Sequence, residues 1–283
     1  MSLHCVHFPI SDFPITPVEL IQQYLFGISL TANGCPFPDA LFENAIRVAT
    51  AVAERDLGIA IMPIEFYGGE DGDKAAVERL TNQLDAQGRY GAERHDFNTD
   101  NAWSIFRVNF RPLRAKPERV RLFFRGNAYP VFTFNADWIS VKDPNSGRVS
   151  LLAPSNSPLN VITESAYTQL ALAARFGIRR VPDYMLVDYK AGFEKGCVPM
   201  DIRHLIAMMA SIIVLDQAGD LILATAGIAN YSLSLGGLSQ SVGTTSSATN
   251  AGYGARILSY QKQMKTLIPQ IRAQYVGFGL AVI

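Results

Sequence analysis

An apolar run over residues 202–223 places the strongest constraint on this chain. It is entered through Val198-Pro199-Met200-Asp201 and preceded by Val187-Asp188-Tyr189-Lys190-Ala191-Gly192-Phe193. The pattern reads as a strand, a sharp glycine turn and a long helix opened by a proline. Gly192 supplies backbone freedom at the turn. Pro199 suits the first helical turn, and Asp201 suits the unsatisfied amides of the helix start. That start would also suit an anion, but neither GxxxxGK[ST] nor GxGxxG is present, so it is not a phosphate-binding loop. Asp216, Gln217, Gly219 and Asp220 interrupt the apolar stretch 205–228 and argue against a membrane span.

The chain has 283 residues, 48% of them hydrophobic and 18% charged, enough for a large core and too apolar for global disorder. Twenty-five basic residues balance 25 acidic ones, so the formal net charge is zero. A general nucleic-acid binder needs a basic excess or stripe. A neutral chain is not kept from its own copies by charge, which permits self-association. No basic segment precedes an apolar leader, so no signal peptide is expected. Cys5, Cys35 and Cys197 lack CxxC spacing and read as reduced thiols. Of the histidines, only His4-x-x-His7 has ligand-like spacing, and it lies at the extreme terminus; no metal and no cofactor is expected.

Taken in order, residues 1–36 form an arm with one short helix. Thr16-Pro17-Val18-Glu19 has the cap, proline and glutamate of a helix start, and Gly27 ends the segment. A helix over 38–57 follows, with Leu41, Ala45, Val48 and Val52 as its buried face and Gly58 as its left-handed end. Its Ala-rich surface would also allow packing on a neighbouring subunit. A strand is expected over 59–66 and a helix over 74–87. Asp71-x-Asp73 lacks the remaining ligands of a calcium loop. From Trp103 the pattern turns to strands, among them a hairpin around Pro144-Asn145-Ser146-Gly147. Arg107, Arg111, Arg114, Lys116, Arg119, Arg121 and Arg125 are interleaved with aromatics. That mixture suits single-stranded nucleic acid, but a solvated or inter-subunit face over an aromatic core is the favoured expectation. A helix is expected over 164–177. Residues 228–235 alternate weakly like a strand, and the Gly/Ser/Thr-rich remainder to 250 reads as loop. No GxSxG elbow marks a nucleophile. The last helix, 253–275, carries Ile257, Tyr260, Met264, Leu267 and Ile271 on one stripe, with a kink expected at Pro269. The tail 276–283 is apolar and expected to dock.

The expected fold class is α+β, with helices near 38–57, 200–225 and 253–275 and an inserted antiparallel β module. The expected segments are an arm (1–36), a helical core (37–99 and 164–283) and the β module (100–163).

The helix–strand pair over 38–66, the Tyr189-x-Ala-Gly-Phe193 turn with Pro199-x-Asp201, and the stretch Gly227-Ile-Ala-Asn-Tyr-Ser-Leu-Ser-Leu-Gly-Gly-Leu-Ser-Gln-Ser together resemble the head–tail connector (adaptor, neck) proteins of tailed bacteriophages. The β module departs from the compact form of that family. The resemblance implies a non-enzymatic virion protein that forms a homo-oligomeric ring, commonly a dodecamer. Such a ring binds under the portal at the head–tail junction and presents a surface to a neck or tail-terminator protein. It assembles in the host cytoplasm, and genomic DNA passes through the lumen without sequence-specific binding; no membrane is involved. Tyr189, Gly192, Pro199 and Asp201 would then shape a structural hinge. Tyr231, Leu235 and Leu238, with Phe278, Leu280 and Ile283 of the tail, are the candidate portal or neck contacts. Two other readings stand beside it. One is a different ring-forming tail or baseplate protein. The other is a cell-wall or polysaccharide hydrolase using two of Asp183, Asp188, Glu194 and Asp201, although solvated turn residues account for these acids more simply.

Overall fold

The computed structural model describes residues 8–32, 35–98, 105–123, 126–151, 180–222, 230–235, 238–243 and 253–276. In chain order the helices and strands are α1 (Pro17–Glu19), β1 (Thr31–Ala32), β2 (Cys35–Pro36), α2 (Asp39–Leu57), β3 (Ile64–Phe66), α3 (Lys74–Glu78), β4 (Glu93–Asn98), β5 (Ile105–Arg107), β6 (Arg119–Leu122), β7 (Phe132–Thr133), β8 (Ile139–Asp143), β9 (Arg148–Leu151), β10 (Arg180–Ala191), α4 (Met200–Ile222), β11 (Asn230–Leu235), β12 (Leu238–Gly243) and α5 (Gly254–Val276). The fold is α+β, and its strand pairs are antiparallel.

Two compact units divide the chain. One gathers His7–Gly58 and Lys195–Ala273; the other is built on Ile59–Glu194. Their boundaries fall elsewhere than the segment limits expected at 37, 100 and 164. Residues 59–98 and β10, expected with the helices, join the sheet unit because β3 and β4 both pair with β10.

The helical unit starts as its sequence predicts. The Thr16 and Glu19 side chains form a reciprocal cap at α1. The chain then widens into a π-helical stretch, Leu20–Tyr24, where an uninterrupted α-helix to Phe26 is expected. Arg203 of α4 pairs with Glu19 at 2.8 Å, His204 Nδ1 lies 2.8 Å from the Tyr24 hydroxyl, and Tyr260 of α5 donates to the Tyr24 carbonyl at 2.9 Å. Helix α4 packs on α2. It is apolar all round, with Ile202, Leu205, Ile206, Met208, Val214 and Leu215 buried. By length and composition Met200–Gly219 is able to cross a membrane. Yet 61% of its most apolar window is buried against the rest of the protein, as in an enclosed core helix.

Helix α2 corrects the expected face. Gly58 ends it in the left-handed conformation (φ 68°) as anticipated. The core side, however, is Phe42, Ala45, Ile46, Ala49, Ala53 and Leu57. Of the expected stripe only Ala45 is buried; Leu41 and Val52 are half-buried and Val48 is 43% exposed. Both faces of α2 are apolar, so the period alone does not select between them. Helix α5 encloses Ile257 and Ile271 of its expected stripe and half-buries Tyr260, Met264 and Leu267, and it runs on through Pro269.

In the sheet unit, β10 is the central strand. One edge pairs with β4 and then β3, the other with β6, which pairs in turn with β7. A second sheet has the order β5-β9-β8, and β8–β9 is the expected hairpin. The two sheets share one core containing Phe66, Val120, Leu122, Val149, Leu151, Met185, Val187 and Tyr189. Phe66 stacks on Tyr189 with ring centroids 4.6 Å apart.

Several element lengths differ from expectation for local reasons. Strand β3 is confined to 64–66: Pro63 has no N–H, and before it the Ala60 amide donates to Arg111 O at 2.7 Å and Ile61 O accepts from the Phe193 amide at 3.2 Å, outside any ladder. Helix α3 stops at Glu78 instead of 87. At Arg79 the backbone turns extended (ψ 131°), and farther on the Asp85 carboxylate accepts from the backbone of Gln87 and Arg89 and from the Arg89 side chain, an alternative to helix that aspartate offers readily. The stretch after 235, expected as loop, contains β12, paired with β11 in the register Tyr231↔Val242 and Leu235↔Leu238. The expected helix over 164–177 lies outside the described residues.

Gly192 has φ 87°. A Cβ there would overlap the Met62 carbonyl, whose carbon would lie only 2.8 Å away, whereas Gly196 (φ 78°) has open space around it. Gly196→Ala is expected to cost about 1–2 kcal/mol of stability, the left-handed penalty alone. Gly192→Ala adds a backbone clash and is expected to cost at least about twice that. Urea denaturation of the two variants compares them directly; equal losses would remove the close-approach explanation of Gly192.

Candidate functional site

The polar residues of the sheet unit converge on β10, and the alternation of a strand sorts them onto two faces. Asp188 points to one face. It is 1% exposed, in the middle of the apolar run Tyr184–Tyr189. The β10–β6 register sets Asp188 opposite Arg119, with Arg121 two residues along on the same face. Arg119 Nη2 and Arg121 Nη2 each lie 2.9 Å from Asp188 Oδ2, and the Gly68 amide donates to Oδ1 at 3.0 Å. Arg121, 0% exposed, also donates to the Gly69 carbonyl at 3.2 Å and to Asp71 at 2.9 Å. Glycine is required where the loop meets this pair: a Cβ on Gly68 would sit 2.7 Å from Arg121 Nη2. Burial pushes the Asp188 carboxyl above its ordinary range, and the two guanidiniums and the Gly68 amide oppose that shift. Outside the pair, Tyr67 is held between Arg89, 3.9 Å from its ring centre, and Arg119 at 5.0 Å.

Tyr189 points to the other face, where Glu93 of β4 is its partner. The buried Glu93 carboxylate accepts from the Tyr189 hydroxyl, receives the Asn109 amide at 2.9 Å, and lies 2.6 Å from His95 Nε2. Burial raises the Tyr189 phenol well above 10, and the Glu93 charge and hydrogen bond raise it further. Tyr184, on the same strand, is pushed up to about 12 by burial.

The remaining residues singled out in the sequence are placed as follows. Tyr189 and Gly192 belong to the sheet unit; Pro199 and Asp201 belong to the helical unit, so the junction is one of the chain's passages between the two. The Gly192 amide donates to Pro112 O at 2.9 Å. Pro199 immediately precedes α4, and Asp201 is in its first turn, its carboxylate accepting from the Ile202 amide at 2.9 Å. Tyr231, Leu235 and Leu238 lie on β11 and β12. Phe278, Leu280 and Ile283 lie outside the described residues.

The four acids of the hydrolase reading are not brought together as a working pair. Asp188 is enclosed among arginines, Glu194 pairs with Arg114 at 2.8 Å, Asp183 is exposed at a β10 bulge, and Asp201 lies in the first turn of α4, in the other unit. The expectation that these acids are solvated turn residues is corrected at Asp188, and the expected solvated basic face is corrected at Arg121. Arg107, Arg114 and Lys116 do face solvent. Arg125 lies outside the described residues. The missed signals were a single acid within an apolar strand and an arginine alternating with Val120 and Leu122. Glu93-x-His95 has the same alternation. Among the described residues no cluster of three or more His, Cys, Asp or Glu is placed to hold a metal ion.

No protein-family model matches the chain, and no curated protein matches it. Among solved structures, a chain from the virion of a native gene transfer agent particle is similar over 73% of this chain and 80% of that chain, with TM-score 0.40 and 13% identity. A likeness of that size is too slight to bear on fold or role.

Removing one partner of the buried pair leaves the other only partly compensated, Asp188 by Arg119 and the Gly68 amide and Arg121 by Asp71. Arg121→Met and Asp188→Leu are each expected to be destabilising, by up to about 3–5 kcal/mol, while the double variant recovers part of the loss. Denaturant unfolding followed by tryptophan fluorescence measures this; single variants as stable as wild type would show that the pair does not hold the sheet. The tyrosines yield a pH dependence. Their folded-state phenols keep protons that the unfolded chain releases above about 10, so stability is full below that pH and falls as pH rises toward the folded values. In alkaline titration, the tyrosinate absorbance of Tyr184 and Tyr189 is expected to appear together with loss of near-ultraviolet circular dichroism. Complete ionisation of all tyrosines with the native signal intact would contradict their burial.

Proposed function

We propose that this chain is a structural virion protein of a tailed phage, a ring-forming head–tail connector that docks under the portal and joins the DNA-filled head to the neck or tail. The observation that carries the reading is the junction over 187–222. The residues on which the resemblance rests end a central strand, turn through a glycine that admits no side chain, and open a 23-residue helix. The polar groups beside that junction are engaged with one another. Asp188 is met by two arginines and the Gly68 amide, and Glu93 accepts from the Tyr189 hydroxyl and the Asn109 amide, an arrangement that fixes strand register and favours a structural role over a chemical one.

In this reading the ring is dodecameric, its partners are the portal and a downstream neck or tail-terminator protein, and DNA passes through its lumen without base-specific contact. The β11–β12 ribbon, with Tyr231, Leu235 and Leu238, and the apolar tail, with Phe278, Leu280 and Ile283, provide the contacts to portal and neck.

Negative-stain imaging of the purified chain, alone and with portal rings of the same phage, tests the proposal. Rings coaxial with the portal and matching its stoichiometry are the expected result. Hexameric rings that ignore the portal would favour a tail or baseplate component instead. A chain truncated after Tyr275, and one with residues 236–249 replaced by a short Gly/Ser linker, are each expected to lose portal binding or head–tail joining. Full joining by either variant would remove that element from the docking surface.

A further inference from the structure

Strands β11 and β12 form a sheet of their own, and among the described residues no third strand joins them. Two antiparallel strands alone are marginal in water, and each presents an outer row of unpaired N–H and C=O groups. Elsewhere the chain blunts such edges. Among the outer strands of the larger sheets, β3 follows Pro63 and contains Glu65, β4 contains Arg94 and Asp96, β5 contains Arg107, β8 contains Lys142 and Asp143, and β7 has only two residues. The β11–β12 ribbon has none of these devices: no charged residue and no proline occurs between Asp220 and Arg256. The register fixes what each edge offers. A two-residue connection is closed by a hydrogen-bonded pair, here Leu235↔Leu238, and such pairs alternate with pairs whose backbone groups turn outward. The outward groups are therefore those of Ser232 and Ser234 on β11 and of Ser239 and Ser241 on β12. Strand alternation puts these serines on one face and Tyr231, Leu233, Leu235, Leu238, Gln240 and Val242 on the other.

We infer that the β11 edge of one copy pairs with the β12 edge of the next, so that the ribbons of the assembled chains form one continuous antiparallel sheet. The occupant is a second copy because another ribbon of the same kind satisfies both edges at once. Each ribbon offers one β11 edge and one β12 edge, and neighbours pointing the same way meet antiparallel, the sense of pairing already present within the ribbon. Serine at the edge positions sets no charge against its like. The contact joins two different edges, so it is heterologous and propagates head to tail. Once closed, it leaves no edge free, as in a barrel. This inference rests on the reading of the chain as a self-assembling ring and names a surface that builds it. It leaves the face with Tyr231, Leu235 and Leu238 to the portal or neck.

The test blocks one edge at a time and is read by analytical ultracentrifugation of the full chain, alone and with portal rings. A proline at an outward-facing N–H spares the pairing within the ribbon and removes a donor from its edge. Ser232→Pro blocks the β11 edge, and Ser241→Pro blocks the β12 edge. Each variant alone is expected to associate at least tenfold more weakly than wild type. In an equimolar mixture the Ser241→Pro copy keeps its β11 edge and the Ser232→Pro copy keeps its β12 edge. One interface then forms, assembly is expected to stop at a dimer, and that dimer shows at once that both variants are folded. Variants that form rings like wild type would overturn the inference and leave self-assembly standing. So would a mixture that stays monomeric although each variant keeps its helical circular dichroism. Variants that assemble like wild type but no longer bind portal rings would assign the edges to a portal strand and overturn the inference. Wild-type protein that stays monomeric both alone and with portal would overturn the inference and the self-assembly reading together.

Discussion

A carboxylate taken out of water in the middle of a strand governs the sheet unit. Asp188 is enclosed on β10, and enclosure of an unpaired charge would be prohibitive. Arg119 and Arg121 answer it only when β6 lies in one register, and the Gly68 amide answers it only when the Gly68–Gly69 loop folds over the arginines. One buried charge therefore specifies a strand pairing and a loop together. On the opposite face the Tyr189–Glu93 contact does the same for β4. The strand is fixed to its neighbours from both sides by polar groups, and the shared aromatic core fills around it.

The helical unit is held by different means. Helix α4 is apolar on every side and tolerates many rotations about its axis. Among the groups that orient it are polar ones near its start: Arg203 to Glu19, and His204 to Tyr24. The short Thr16–Glu19 cap thus has a second task, since Glu19 closes the cap and receives Arg203. Close helix contact with α2 is permitted by Ala45, Ala49 and Ala53, all buried on its core side.

Much of this was legible in the sequence. The three long helices, the 144–147 hairpin, the Gly58 helix end and the Gly192 turn follow from period and turn chemistry. What escaped detection did so because the signals are non-local or degenerate. Arg121 looks like any solvent-facing arginine until Asp188, 67 residues away, is placed beside it. The core face of α2 differs from the expected stripe because Leu41-Val48-Val52 and Phe42-Ile46-Ala49-Ala53 both have helical spacing. Which one is covered depends on α4, a partner the local period does not encode. Strand β12 was hidden by a Gly/Ser/Thr composition that suits a loop, although two glycines at 236 and 237 between two short runs suit a hairpin equally well.

Buried ion pairs are seldom the most stable way to fill a core, so the two polar clusters on β10 invite another explanation. A one-residue slip of a strand exchanges its two faces. On β10 such a slip would bring Asp188 to the face that holds Phe66 and Glu93, setting carboxylate against carboxylate, and would bring the Tyr189 hydroxyl toward the arginines without a charge to satisfy them. An apolar strand of the same length would suffer far less. The clusters therefore raise the cost of the wrong register more than they lower the energy of the right one. That is useful at this position, because β10 runs directly into Gly192, where the chain has no room for a Cβ and no alternative path past Met62. A strand displaced by one residue would present Ala191 or Phe193 at that point, and the turn into Pro199 and α4 could not form as it does.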